Sequence, residues 1–164
     1  MGVKESFEDL QCSEEFKSFL ENESGFILAH AHLMKEFDKD ADWEFGFYNA
    51  SRDAMTVFET NPVVRTPEQE VFKKSGVLKE LDLNLVEVDF DEAMRLCETV
   101  RKDKYSSELI AKYIVILQNL HKQLWNITLV TKSFGLINIR IDAKSGDIIS
   151  SNMTSIGDLG IKSV

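Results

Sequence analysis

Three histidines, two cysteines and a run of spaced carboxylates are the side chains of this 164-residue sequence best suited to chemistry. His30 and His32 stand two apart in Gly25 to Phe37, where Ile27, Leu28, Ala31, Met34 and Phe37 recur at helical spacing. On a helix, positions two apart point roughly 200° away from each other, so this pair cannot take the i, i+4 arrangement that clamps a metal. His121 falls at the end of another expected helix, where a cation favours the helix dipole. Asp38, Asp40, Asp42 and Glu44 open like a calcium loop, with oxygen ligands at its first, third and fifth positions. Such a loop then requires glycine at the sixth position and a bidentate glutamate at the twelfth. Trp43 and Asn49 stand there instead, which leaves an acidic, solvated link between two elements.

Cys12 and Cys97 are too few for a disulfide framework, and neither opens a helix beside a basic flank as a nucleophilic thiolate would. The sequence contains no Gly-x-Ser-x-Gly elbow, no phosphate-cradling glycine loop and no dinucleotide fingerprint. No cofactor and no metal are therefore expected. A net charge of −9 argues against nucleic acid and anionic lipid, both of which need a basic face. The cluster Arg95, Arg101, Lys102 and Lys104 lacks interleaved aromatics, so no nucleic-acid partner is expected. The whole imbalance sits in residues 1–82, while residues 83–164 are neutral. That asymmetry fits a solubilising acidic surface, or a basic partner for the first half. No apolar run nears the roughly 18 residues of a membrane span. Met1 to Ser6 lack the apolar core of a signal peptide, so a reducing, cytoplasmic setting is expected.

The elements that must position these side chains show an internal repeat. Phe7-Glu8-Asp9 recurs as Phe90-Asp91-Glu92, and Trp43-Glu44-Phe45-Gly46-Phe47 as Trp125-Asn126-Ile127-Thr128-Leu129. In the same frame Met55 and Val57 match Ile137 and Ile139. A near-constant offset of half the chain across unlike segments predicts duplication, with units at 1–84 and 85–164. In the first unit, Ser13 caps a short helix carrying Phe16 and Phe19, and a second helix runs from Gly25 to Phe37. Strands follow at 43–49, with Trp43, Phe45 and Phe47 on one face, and at 54–60, with Met55 and Val57 inward. In the second unit, Asp89 and Glu92 form a capping box for a helix burying Ala93, Met94, Cys97 and Val100. Ser106 or Ser107 then caps a strongly apolar helix to about His121, and strands follow at 124–132, 135–142 and 147–152. The expected fold is α+β: two helix-helix-sheet units, each an antiparallel sheet with helices on one face.

Within this frame, Leu136-Ile-Asn-Ile-Arg-Ile-Asp142-Ala-Lys-Ser-Gly146-Asp-Ile-Ile149 resembles the last hairpin of PepSY domains, in which a strand ends in Asp-Ala before a Ser/Thr-Gly turn. Trp125 and the apolar segment before it stand where that family carries its preceding strand and helix. The resemblance covers about 45 residues and reaches the first half through the repeat. It implies a small helix-on-sheet binding or inhibitory module, often extracytoplasmic, without catalytic residues.

The expected function is accordingly a non-enzymatic binding protein of two PepSY-like repeats. One alternative is an enzyme using Asp38, Asp40, Asp42 and Glu44 in a cleft between the units; another is an acidic immunity or chaperone-like protein masking a basic partner. On the sheet face away from the core, the phase assigned to the strands places Asn126, Thr128, Asn138 and Arg140 in the second unit and Glu44, Gly46, Tyr48, Thr56 and Phe58 in the first. Exposed aromatics on neighbouring strands would be a contact surface, so Tyr48 and Phe58 are the candidate site for a protein or peptide partner or a second copy of the chain.

Overall fold

Side-chain caps at Ser13 and Asp89 start two of the helices where the sequence places them, while the first helix begins after Gly2 without a side-chain cap. The computed structural model describes residues 1–71 and 78–155. Helix α1 spans Val3–Cys12 and α2 spans Glu14–Asn22, with the Ser13 hydroxyl between them accepting the Phe16 amide at 3.2 Å. Strand β1, Phe26–Glu36, follows; β2 is Glu44–Asn49, β3 Ala54–Thr60, β4 Val63–Arg65 and β5 Gln69–Glu70. A 3₁₀ turn at Leu83–Leu85 leads to α3, Phe90–Lys104, capped by the Asp89 carboxylate on the Glu92 amide at 2.9 Å. Strands β6, Ile110–Asn119, β7, Gln123–Thr131, β8, Gly135–Asp142, and β9, Ile148–Ser155, follow.

Among the described residues the protein is α+β, with three helices and one antiparallel sheet of nine strands. The strand order is β4-β3-β2-β1-β6-β7-β8-β9, with β5 also pairing β3. One sheet thus runs through both halves of the sequence, joined where β1 pairs with β6 from His30–Gln118 to Glu36–Lys112.

Two expected helices are strands. Gly25 to Phe37 forms β1, and 106–121 contains β6. In β1, Leu28, Ala31 and Leu33 face the core, but an irregularity between Leu28 and His30 interrupts strict alternation and leaves spacings that mimic a helix. In β6, Val115 and Leu117 are buried in the core while Ile114 and Ile116 lie on the other face, so the run is apolar on both sides. A central strand of this kind has no period of two to detect, and only its β-branched content marks it.

The core lies on one face of the sheet. Leu10, Phe16 and Phe19 from α1 and α2, and Ala93 and Cys97 from α3, pack on Trp43, Phe45, Phe47 and Phe58 and on Trp125, Ile127, Ile137, Ile139 and Ile141. Trp125 is fully buried, as its strand phase requires, and its indole N–H donates to the Val88 carbonyl at 2.9 Å. The β8–β9 turn forms as its residues dictate. The Asp142 carboxylate accepts the amides of Lys144 and Ser145, and Gly146 takes φ +79. Ala143 is wholly buried beneath the segment entering α3, because its carbonyl accepts the amides of Glu87 and Val88.

Candidate functional site

All three helices cover the same sheet face, and among the described residues no helix lies on the other. That open face is built from alternate positions of the strands. His30, His32 and Met34 on β1 line up with Gly46 and Glu44 on β2 and with Gln118, Ile116 and Ile114 on β6. Because β1 is a strand, His30 and His32 share this face rather than diverging as on a helix. The His32 Nδ1 lies 3.2 Å from the Glu44 carboxylate. The His30 ring occupies the space above Gly46, where an added Cβ would lie 2.2 Å from its Cε1. Burial holds the His30 imidazolium down to a pKa of about 4, with the neighbouring His32 acting in the same direction and Glu44 opposing. His30 is therefore neutral at pH 7.

Towards β9 the open face becomes polar, as the sequence pattern indicates. The Asn138 side-chain amide donates to Asn126 Oδ1 at 2.7 Å and to Thr128 Oγ1 at 3.0 Å, while Arg140 is exposed beside them. Towards β3 it becomes apolar and acidic. Met55, Val57, Thr66, Gln69 and Val71 line a groove of about 400 Å³ rimmed by Glu44, Glu59 and Glu70. Among the described residues, no basic side chain lines it.

The assignment of Tyr48 and Phe58 to an exposed surface is corrected. Phe58 is fully buried on the core face, opposite Phe45 in the β2–β3 ladder and within 5.2 Å, ring to ring, of both Phe16 and Phe19. Thr56 lies on that face too, so Met55 and Val57 face outward instead. The reason is a single residue. The β2–β3 connection, residues 50–53, is one longer than the β7–β8 connection, residues 132–134, so an offset carried across the turn inverts the strand. Tyr48 is on the open face as expected but is 1% exposed, and its hydroxyl donates to Asp53 Oδ1 at 2.6 Å. The two rings are not brought together as a surface.

The acidic run does not converge either. Asp38, Asp40 and Asp42 are exposed on the β1–β2 connection, while Glu44 turns to His32. Among the described residues, no group of three or more His, Cys, Asp or Glu side chains could hold a metal ion. Cys97 is buried, which pushes its thiol up to about 12 and removes it as a nucleophile at neutral pH. The groove over Met55 and Val57 is what sequence reading missed, and the signal was the length of the preceding turn.

No helix among the described residues is long and apolar enough to cross a membrane. No family model and no curated protein matches the chain. Among solved structures, the chain is similar to a crystal structure of a "putative lipoprotein" from Clostridium difficile 630. The TM-score is 0.52 and the identity 14%, over 86% of this chain and 91% of that one. At that identity the likeness is one of fold, and the α+β arrangement described above is shared by the two proteins.

Proposed function

We propose that this protein is a non-catalytic binding module built from two PepSY-like helix-plus-sheet units, 1–84 and 85–164, whose open sheet face takes up a segment of a protein partner. The groove rimmed by Glu44, Glu59 and Glu70 carries the reading. Its floor of Met55 and Val57 suits an apolar side chain, and its rim suits a cationic one, so the partner presents basic and apolar residues together. The concentration of negative charge in residues 1–82 would steer such a partner towards this side of the sheet. Duplication is supported by the strand order, which reads outward from the β1–β6 pair as β2-β3-β4 on one side and β7-β8-β9 on the other. Both cysteines are free thiols, in keeping with a reducing cytoplasmic setting.

The test uses labelled peptides of alternating lysine and leucine, with glutamate-leucine peptides as the control. Binding of the basic peptide at physiological salt is expected to weaken at least tenfold in a Glu59→Lys, Glu70→Lys variant whose urea midpoint is unchanged. Equal affinity of variant and parent, or equal binding of the two peptides, would sink the proposal.

A further inference from the structure

Among the described residues, strand β9 ends the sheet and no strand pairs with its outer edge. It reads Ile-Ile-Ser-Ser-Asn-Met-Thr-Ser, eight residues without a charge or a proline, and most of it is exposed. Natural sheets blunt such edges with lysine, proline, shortness or irregularity, because a row of unpaired amides and carbonyls recruits another strand. The opposite edge shows these devices: β4 has three residues, follows Pro62 and ends in Arg65, and β5 has two. The β8–β9 ladder is irregular at its Ile148 end, between Arg140 and Ile141, but is regular from Ser150 to Ser155.

We propose that β9 pairs antiparallel with β9 of a second copy of this chain, joining two sheets across a twofold axis. Charge selects this occupant. Residues 83–164, which include β9, are neutral, while the half carrying −9 supplies β4-β3-β2-β1 at the other side of the sheet. Joining through β9 keeps the two acidic halves as far apart as the strand order allows.

The side chains select the register. With the axis at Ser151, Ile149 of each copy faces Met153 of the other, on the face that carries the helices. These side chains are 45% and 41% exposed in the single chain, and the pairing covers them twice over. Ser150 then faces Asn152 on the open face. The pairing uses up β9 in both copies and, among the described residues, leaves the blunted edges outside, so association closes at two instead of growing into a fibre. The Lys104 ammonium, which donates to the Ser151 hydroxyl at 3.1 Å, comes to the axis from each copy. Added salt screens both that pair and the net charge, and so tightens the association.

Sedimentation velocity of the full chain, from micromolar to near-millimolar, is expected to show the 18.7 kDa species converting to one of twice the mass, more readily at high salt. An Ile149→Lys, Met153→Lys variant is expected to stay monomeric with an unchanged urea midpoint. A Cys12→Ser, Ser151→Cys variant is expected to form a disulfide-linked dimer under mild oxidation, whereas Cys12→Ser with Val64→Cys on β4 is not. This cross-link decides the matter if the lysine variant fails to fold. A parent chain that is monomeric throughout, a dimer that survives the lysine pair, or a monomer that instead takes an extended peptide along β9 overturns the proposal.

Discussion

The indole rings of Trp43, just before β2, and Trp125, on β7, lie 6.1 Å apart, centroid to centroid, and come from opposite halves of the chain. Each is buried, and each donates its N–H to a main-chain carbonyl two residues before a helix: Met1 before α1, and Val88 before α3. Phe90, at the start of α3, packs against both rings. The pair therefore ties two helix entries and both halves of the sheet to one point in the core.

Replacing either tryptophan with alanine is expected to cost about 3–5 kcal/mol, as for other large buried aromatics. The rings touch and share Phe90, so the double variant should lose less than the two single losses combined. Urea unfolding of the four proteins gives the coupling directly. Strict additivity would show that the rings do not support one another.

Phe58 and Tyr48 should separate cleanly. Phe58→Ala removes a ring packed on Phe16, Phe19 and Phe47, and is expected to cost about 3–5 kcal/mol without altering assembly. Tyr48→Phe loses the hydrogen bond to Asp53, worth about 1 kcal/mol. Denaturation curves and sedimentation on the same samples check both. A Phe58→Ala variant of normal stability would contradict its place in the core.

Gly46→Ala places a methyl group where the His30 ring sits. The ring is expected to swing out into solvent, and its pKa to climb from about 4 towards the ordinary value near 6.5. A proton NMR titration of the imidazole reports this. A pKa that stayed low would mean that the ring and the methyl group had found room together.

The same histidine sets a pH dependence. Its folded pKa lies below the unfolded value, so the unfolded chain takes up the proton first as pH falls. The contribution of His30 is complete above about pH 6.5 and is lost progressively down to about pH 4, by roughly 3 kcal/mol at about 1.4 kcal/mol per pKa unit. Asp142, held below the usual carboxylate range by Lys122 and by the amides of Lys144 and Ser145, loses its contribution in a lower window. Urea midpoints measured between pH 7 and pH 4 should therefore fall in the parent and fall much less in His30→Gln. Parallel slopes would assign the loss to the carboxylates.

Much of this architecture was legible in the residues. The caps at Ser13 and Asp89, the strand phases of Trp43 and Trp125, and the Asp142 to Gly146 turn follow from local chemistry, and all appear where that chemistry puts them. Local pattern failed where tertiary context removed it. Ile114, Val115, Ile116 and Leu117 are apolar on both faces because β6 is central to the sheet, and the irregularity at Leu28–His30 gave β1 a false helical spacing. Those two misreadings also hid the histidines' shared face, and one extra residue in the turn before Ala54 hid the groove. The pairing of β1 with β6 has no local signal at all, since its partners lie in separate halves of the sequence.

That pairing also bears on how the chain reaches its native state. Strands β1 to β4 and β6 to β9 each form a meander of adjacent hairpins, which can zip through short loop closures. The β1–β6 ladder instead joins residues roughly eighty positions apart and must close the loop between them first. Collapse of the two meanders should therefore be fast, and their docking along β1 and β6 should limit the folding rate. A chain cut in the segment between β5 and α3 would turn that docking into a bimolecular step, with a rate that rises with fragment concentration.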